Sequence, residues 1–247
     1  MKDKTLFVTG GNDGIGLATA ELFAAQGANI AIFSRREDKN KIAVDKITAA
    51  GGTAISFAGD VTDEHAVKRA VNETAEHFGG LHYGFNNAGV DQNYTPLVDQ
   101  TVEDFHRIID INVLGVWLCM REQAPIIEAS GGGCIVNNSS GAGHVGVRKV
   151  ALYAASKHAV NGMTKSVALD YAQRGVRVNV VSPGGVKTAM MDDMKQGDKA
   201  SLERTLSRHP MGRLGEADEV ARAVLYLCRD ATFTTGHCLL VDGGYTV

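Results

Sequence analysis

The chain has 247 residues, 44% of them apolar and 21% charged, with 29 glycines and a formal net charge of −3. That balance suits a single α/β domain with a sizeable core, and with no dense Lys/Arg run it gives no reason to expect nucleic acid or a membrane as partner. Cys119, Cys134, Cys228 and Cys238 lie far apart without a CxxC pair, which argues against a disulfide framework or a zinc site and for free thiols in a reducing compartment.

Thr5-Leu6-Phe7-Val8-Thr9 reads as a short buried strand that runs straight into Gly10-Gly11-Asn12-Asp13-Gly14-Ile15-Gly16. From 15 to 26 the apolar Ile15, Ala18, Leu22 and Ala25 fall at helical spacing, and Gly27 stands where a C-terminal cap belongs. Strand, glycine turn and helix in that order make an anion site, since a pyrophosphate can approach the amides at the helix N-terminus. The chain enters this strand almost at once, so no signal peptide is expected.

A second strand, 28–33, ends in Ser34-Arg35-Arg36-Glu37-Asp38. A carboxylate at that place would accept hydrogen bonds from the adenine ribose and repel a 2′-phosphate. Ser34 stands there instead, and the planar fork of Arg35 suits a phosphate, with Arg36 beside it, so NADP(H) is favoured and NAD(H) remains possible. Asp13, Glu37 and Asp38 oppose this reading, and a solvated charged loop is its competitor.

Strand-like runs follow at 54–57, 81–85, 134–137, 176–181 and 238–241, alternating with amphipathic helical stretches. Seven strands alternating with helices predict a doubly wound sheet, mainly parallel, with helices on both faces and ligand at the carboxyl ends of the strands. The apolar run 113–120 is much shorter than the ~20 residues of a membrane span, and a cytoplasmic location is the expectation. Tyr153 and Lys157, four apart in a helical segment, share one face, where an ammonium stabilises phenolate and makes the phenol a usable acid or base. The segment 187–209 breaks the strand and helix rhythm and reads as a substrate lid over a 1–247 domain.

Taken together, Thr9-Gly10-x-x-x-Gly14-Ile15-Gly16, Asn86-Asn87-Ala88-Gly89, Asn112, Ser140, Tyr153-x-x-x-Lys157 and Pro183-Gly184 resemble the classical short-chain dehydrogenases/reductases over nearly the whole chain. The resemblance implies a single-domain Rossmann-type fold and hydride transfer between a nicotinamide and a ketone or secondary alcohol. It places Gly10, Asn12, Asp13, Gly14, Ile15 and Gly16 at the pyrophosphate, Asp60 and Val61 at the adenine, and Asn87, Ala88 and Gly89 at the ribose. Pro183, Gly184, Val186 and Thr188 would meet the carboxamide.

For the chemistry, the resemblance implies Ser140 bound to the substrate oxygen, with Ser139 as its rival, and Tyr153 as the proton-transfer group. Lys157 would hold the ribose and lower the Tyr153 pKa, and Asn112 would bind a water linking Lys157 to solvent. Reduction of a small carbonyl compound with NADPH is the favoured reading. NAD-dependent alcohol oxidation and a non-catalytic dinucleotide sensor are the alternatives, although a sensor has no need of Ser140, Tyr153 and Lys157 together. Gln92, Asn93 and His144 suit a polar substrate, whereas Val145, Val147, Met190, Met191 and Met194 suit an apolar one. The segments 210–215 and 241–244 imply a homotetramer by the same resemblance.

Overall fold

The computed structural model describes residues 1–188 and 206–247. In β1 (Thr5–Thr9), Leu6 and Val8 enter one core and Phe7 the other. β2 (Asn29–Ser34) repeats the pattern, with Ile30 and Ile32 opposed to Ala31 and Phe33, and so does β5 (Gly133–Asn138), with Cys134 and Val136 opposed to Ile135. Strands apolar on both faces need helices on both. On the Leu6 side lie α1 (Gly14–Ala25), α2 (Glu37–Ala49) and α7 (Ala217–Leu225), through Phe23, Ile47 and Val224. On the Phe7 side lie α3 (Glu64–Phe78), α5 (Gly115–Ala129) and α6 (Ala151–Tyr171), through Val71, Ile127 and Val160.

With β3 (Thr53–Ala58), β4 (Tyr83–Asn86), β6 (Val176–Pro183) and β7 (Cys238–Val241), the seven strands form one sheet in the order β3-β2-β1-β4-β5-β6-β7. All six pairings are parallel. β1 and β7 have the predicted bounds, while β6 runs on past its apolar stretch because Ser182 and Pro183 pair with Leu240 and Val241. Asp13 is the N-cap of α1, and Gly27, in the left-handed region at φ +85°, follows its end as the glycine signal predicts. Asp63 caps α3. Among the described residues no helix is long and apolar enough to cross a membrane.

The order reverses at β1 and β4, so the loops leaving these neighbours diverge and open a crevice at the carboxyl edge. Its floor is pinned by Thr9, whose Oγ1 accepts from Asn87 N and Ala88 N, both at 2.9 Å. Asn87 Nδ2 in turn donates to Thr9 O and Gly10 O. Gly16 is fixed by space alone, since a Cβ there would lie 2.2 Å from Gly10 O.

Beneath the crevice is a buried polar layer. Asn86 Nδ2 donates to Asn137 Oδ1 at 2.8 Å and to Gln123 Oε1 at 3.2 Å, Gln123 Nε2 donates back to Asn86 Oδ1 at 2.9 Å, and Asn137 Nδ2 donates to Thr164 Oγ1 at 2.8 Å. A Cβ on Gly84 would sit 2.4 Å from Gln123 Oε1. Gly84→Ala must push that amide off its partners, at an expected cost of about 1–3 kcal/mol. Urea unfolding should show a lower midpoint with an unchanged slope, and wild-type stability would mean that the layer repacks freely.

Candidate active site

One cavity of about 1210 Å³ runs along the carboxyl edge from the glycine loop to Tyr153 and Lys157. Every catalytic or cofactor-binding residue predicted from the sequence lines it except Gly16 and Asn112; of the substrate candidates Val147 lines it, whereas Gln92, Asn93, His144 and Val145 do not.

At one end the first-turn amides of α1 face the cavity region with no acceptor inside their own helix. Asp13 Oδ1 takes one of them, Gly14 N, at 2.8 Å. Gly14 also keeps the loop clear of its neighbour, because a Cβ there would lie 3.1 Å from Thr188 Cγ2. The cations nearby have carboxylate partners at long range: Arg35 with Asp60 at 4.0 Å, Arg36 with Asp13 at 3.9 Å and Lys39 with Asp13 at 3.8 Å. Their side chains are 66, 54 and 42% exposed, and such pairs contribute about 0–1 kcal/mol, so an anion displaces them at little cost. Lys39 escaped the sequence analysis although it lies three residues past Arg36. Asp60 Oδ1 accepts from Thr62 N and Oγ1 and closes a turn.

At the other end, Ser140 stands after β5 and caps the turn Gly141–Gly143, its Oγ accepting from Ala142 N at 3.2 Å. Its hydroxyl also acts on the Tyr153 phenol, lowering its pKa. Ser139 is buried and donates to Lys157 O at 3.1 Å, a bond within the scaffold. α6 carries both remaining groups: Tyr153 N donates to Gln92 Oε1 at 2.9 Å, and Lys157 Nζ donates to Asn138 O at 3.0 Å while lying 5.5 Å from the Tyr153 ring centroid. Asn138 Oδ1, on a residue of the same wall, is a buried acceptor without a partner. An anion-ready helix end, glycine clearances and this open acceptor along one groove fit an extended dinucleotide.

Asn112 lies in the π-helical turn Asp110–Leu114 between α4 (Val102–Ile109) and α5. Its Oδ1 accepts from Val90 N at 2.8 Å, and its Nδ2 donates to Val90 O at 2.9 Å and to Ser156 Oγ at 3.1 Å. The side chain thus clamps the loop after β4 to α6. His144 Nε2 sits 2.9 Å from Ser182 Oγ and 3.3 Å from Asn161 Nδ2, turned to the scaffold. Most of the 187–209 lid, with Met190, Met191 and Met194, lies outside the described residues.

Burial governs the electrostatics. It lifts the Tyr153 phenol well above its usual value of 10, the charge of Asp91 lifts it further, and the Ser140 hydroxyl opposes both. The expected lowering by Lys157 is not among these influences. Burial likewise brings Lys157 down to about 8, with Asp91 working to hold its proton. Asp91, raised by its own burial, lines the same cavity. It belongs to a stretch without periodicity, and only its place two residues after Gly89 could have marked it. His209, also missed, accepts from Gly185 N at 2.8 Å and lies 5.3 Å from the Tyr245 ring, bracing the loop after β6.

A family model described as enoyl-(acyl carrier protein) reductase matches residues 10–246. The chain is 44% identical over 249 residues to a 2,5-dichloro-2,5-cyclohexadiene-1,4-diol dehydrogenase of Sphingobium indicum, covering 100% of this chain and 98% of that enzyme. It is 38% identical to a cyclohexanol dehydrogenase of an Acinetobacter species, covering 100% and 96%. Among solved structures, that of levodione reductase superposes with a TM-score of 0.95 at 32% identity, covering 100% and 98%.

Since Asp91 helps Lys157 keep its proton, Asp91→Asn is expected to move the lysine titration below about 8. NMR of the ¹³C-methylated lysines would follow it, and an unmoved Lys157 signal would show the two charges to be uncoupled.

Proposed function

The chain belongs to the short-chain dehydrogenase/reductase family, and from that premise we propose the residue roles and preferences that follow. The protein is an oxidoreductase that uses a nicotinamide dinucleotide on alcohol or ketone groups. The observation that carries the assignment of roles is that Ser140, Tyr153 and Lys157 line one cavity with the glycine loop, Lys157 Nζ lying 5.5 Å from the Tyr153 ring centroid.

When bound, the nicotinamide supplies or accepts the hydride at the substrate carbon. Ser140 Oγ binds the substrate oxygen and fixes its direction. Tyr153, held protonated by burial at neutral pH, donates its proton to that oxygen in reduction. The phenolate left behind is stabilised by the Lys157 ammonium, whose charge persists below about pH 8. Asn112 positions the loop after β4 rather than touching the reacting atoms. Gly10, Gly14 and Ile15 bind the pyrophosphate, Asp60 and Val61 the adenine, and Val186 and Thr188 the carboxamide.

Arg35 and Arg36, joined by Lys39, favour NADP(H) over NAD(H), and with it the reductive direction. The substrate is a six-membered ring ketone or its alcohol. This agrees with the ring alcohols in the names of two relatives, and with Ile111, Val147 and Val150 on the cavity wall. Exposed Phe105 and Trp117 near the α4–α5 junction, together with Met211 and, within β7, Leu240, support a homotetramer. The four free cysteines agree with a cytoplasmic location.

Tyr153→Phe should retain nucleotide binding in a fluorescence titration and lose about 10²–10⁴-fold in turnover; near-normal turnover would remove Tyr153 from the reaction. Arg35→Ala should weaken NADPH by about tenfold and NADH much less, and an equal loss would refute the phosphate role.

A further inference from the structure

Asn40, near the start of α2, is 1% exposed and is not part of the cavity wall. Its amide is fully used. Nδ2 donates to Ser34 O at 3.0 Å and to Phe57 O at 3.2 Å, joining the ends of β2 and β3. Oδ1 accepts from Asn12 Nδ2 at 2.8 Å and from Ser34 Oγ at 2.5 Å. Asn12 Nδ2 also donates to Ser34 Oγ at 2.6 Å, closing a ring of three side chains. A hydroxyl has one proton, which Ser34 gives to Asn40, and a side-chain amide has two, of which Asn12 gives one to each partner. Ser34 and Asn12 both line the cavity, and all they have left to offer it are acceptor lone pairs.

We propose that Asn40 is a positioning residue that makes Ser34 and Asn12 obligate acceptors at the adenosine end of the cavity, favouring a free 2′-hydroxyl there and leaving any 2′-phosphate to the surface cations. The inference rests on that cavity being the nicotinamide dinucleotide site. A ribose hydroxyl can donate to Ser34 Oγ. A phosphate oxygen only accepts, so it gains nothing from that rim and must draw its donors from Arg35, Arg36 and Lys39. Asn40 therefore works against those cations and keeps NAD(H) a competitor in a site whose charge favours NADP(H).

Fluorescence titration with NADH and NADPH in parallel tests this on the wild type, Asn40→Ala and Ser34→Ala. Removing Asn40 frees the Ser34 and Asn12 protons to turn toward the ligand. NADPH should tighten about tenfold, the worth of one hydrogen bond from a freed donor, while NADH changes little because the freed hydroxyl still accepts. Ser34→Ala keeps the bonds from Asn40 to the main chain of β2 and β3 and should shift the ratio of dissociation constants the same way. Equal weakening of both nucleotides in Asn40→Ala marks a merely structural amide and overturns the proposal. An unchanged ratio in Ser34→Ala overturns it too, whether or not the Asn40 variant folds. A wild type that binds neither nucleotide overturns the cofactor site itself, and the proposal with it.

Discussion

A single hydroxyl holds the two halves of the site together. Thr9 Oγ1 accepts hydrogen bonds from the successive amides of Asn87 and Ala88, and so joins the ends of β1 and β4 where their loops part in opposite directions. A parallel sheet covered on both faces has to place such a parting somewhere along its carboxyl edge. Here it falls where the glycine loop, the loop after β4 and the start of α6 converge, and the same cavity serves all three. Asn112 then clamps the second loop to α6 through Val90 and Ser156, which fixes where Tyr153 and Lys157 stand relative to the glycine loop.

The two ends of the cavity obey different physics. Arg35, Arg36 and Lys39 are solvated, with partners 3.8–4.0 Å away, so their pull on an anion is screened by salt and can be redirected cheaply. Lys157 is buried and Tyr153 half-buried, and withdrawal from water moves both toward their neutral forms. In the proposed roles, the charged end selects among ligands and the buried end sets where the proton resides.

What could be read from the sequence was what depends on short spacings. The glycine loop and α1 were legible because the turn, the cap and the apolar spacing are all local, and the Tyr153 and Lys157 pair because four residues make one helical turn. The sign of the shift on Tyr153 was not legible, since it comes from the residues that bury it and from Asp91, which belongs to another loop. Asn40 was missed because an asparagine inside a helix pattern carries no mark of its partners: Asn12, Ser34 and Phe57 come from three different elements. His209 meets Gly185 across 24 residues, a separation that only the fold closes.

The buried layer of Asn86, Gln123, Asn137 and Thr164 has a consequence for how the sheet finds its alignment. Strands that are apolar on both faces can slide past one another at small cost, because each register still buries hydrocarbon. Asn86 and Asn137 stand opposite each other in the correct pairing, and a slip of β5 along β4 would separate them and leave buried amides unpaired at about 1–3 kcal/mol for each group. The layer is thus a vernier, penalising misaligned sheets during folding at the place where the cavity is least tolerant of them.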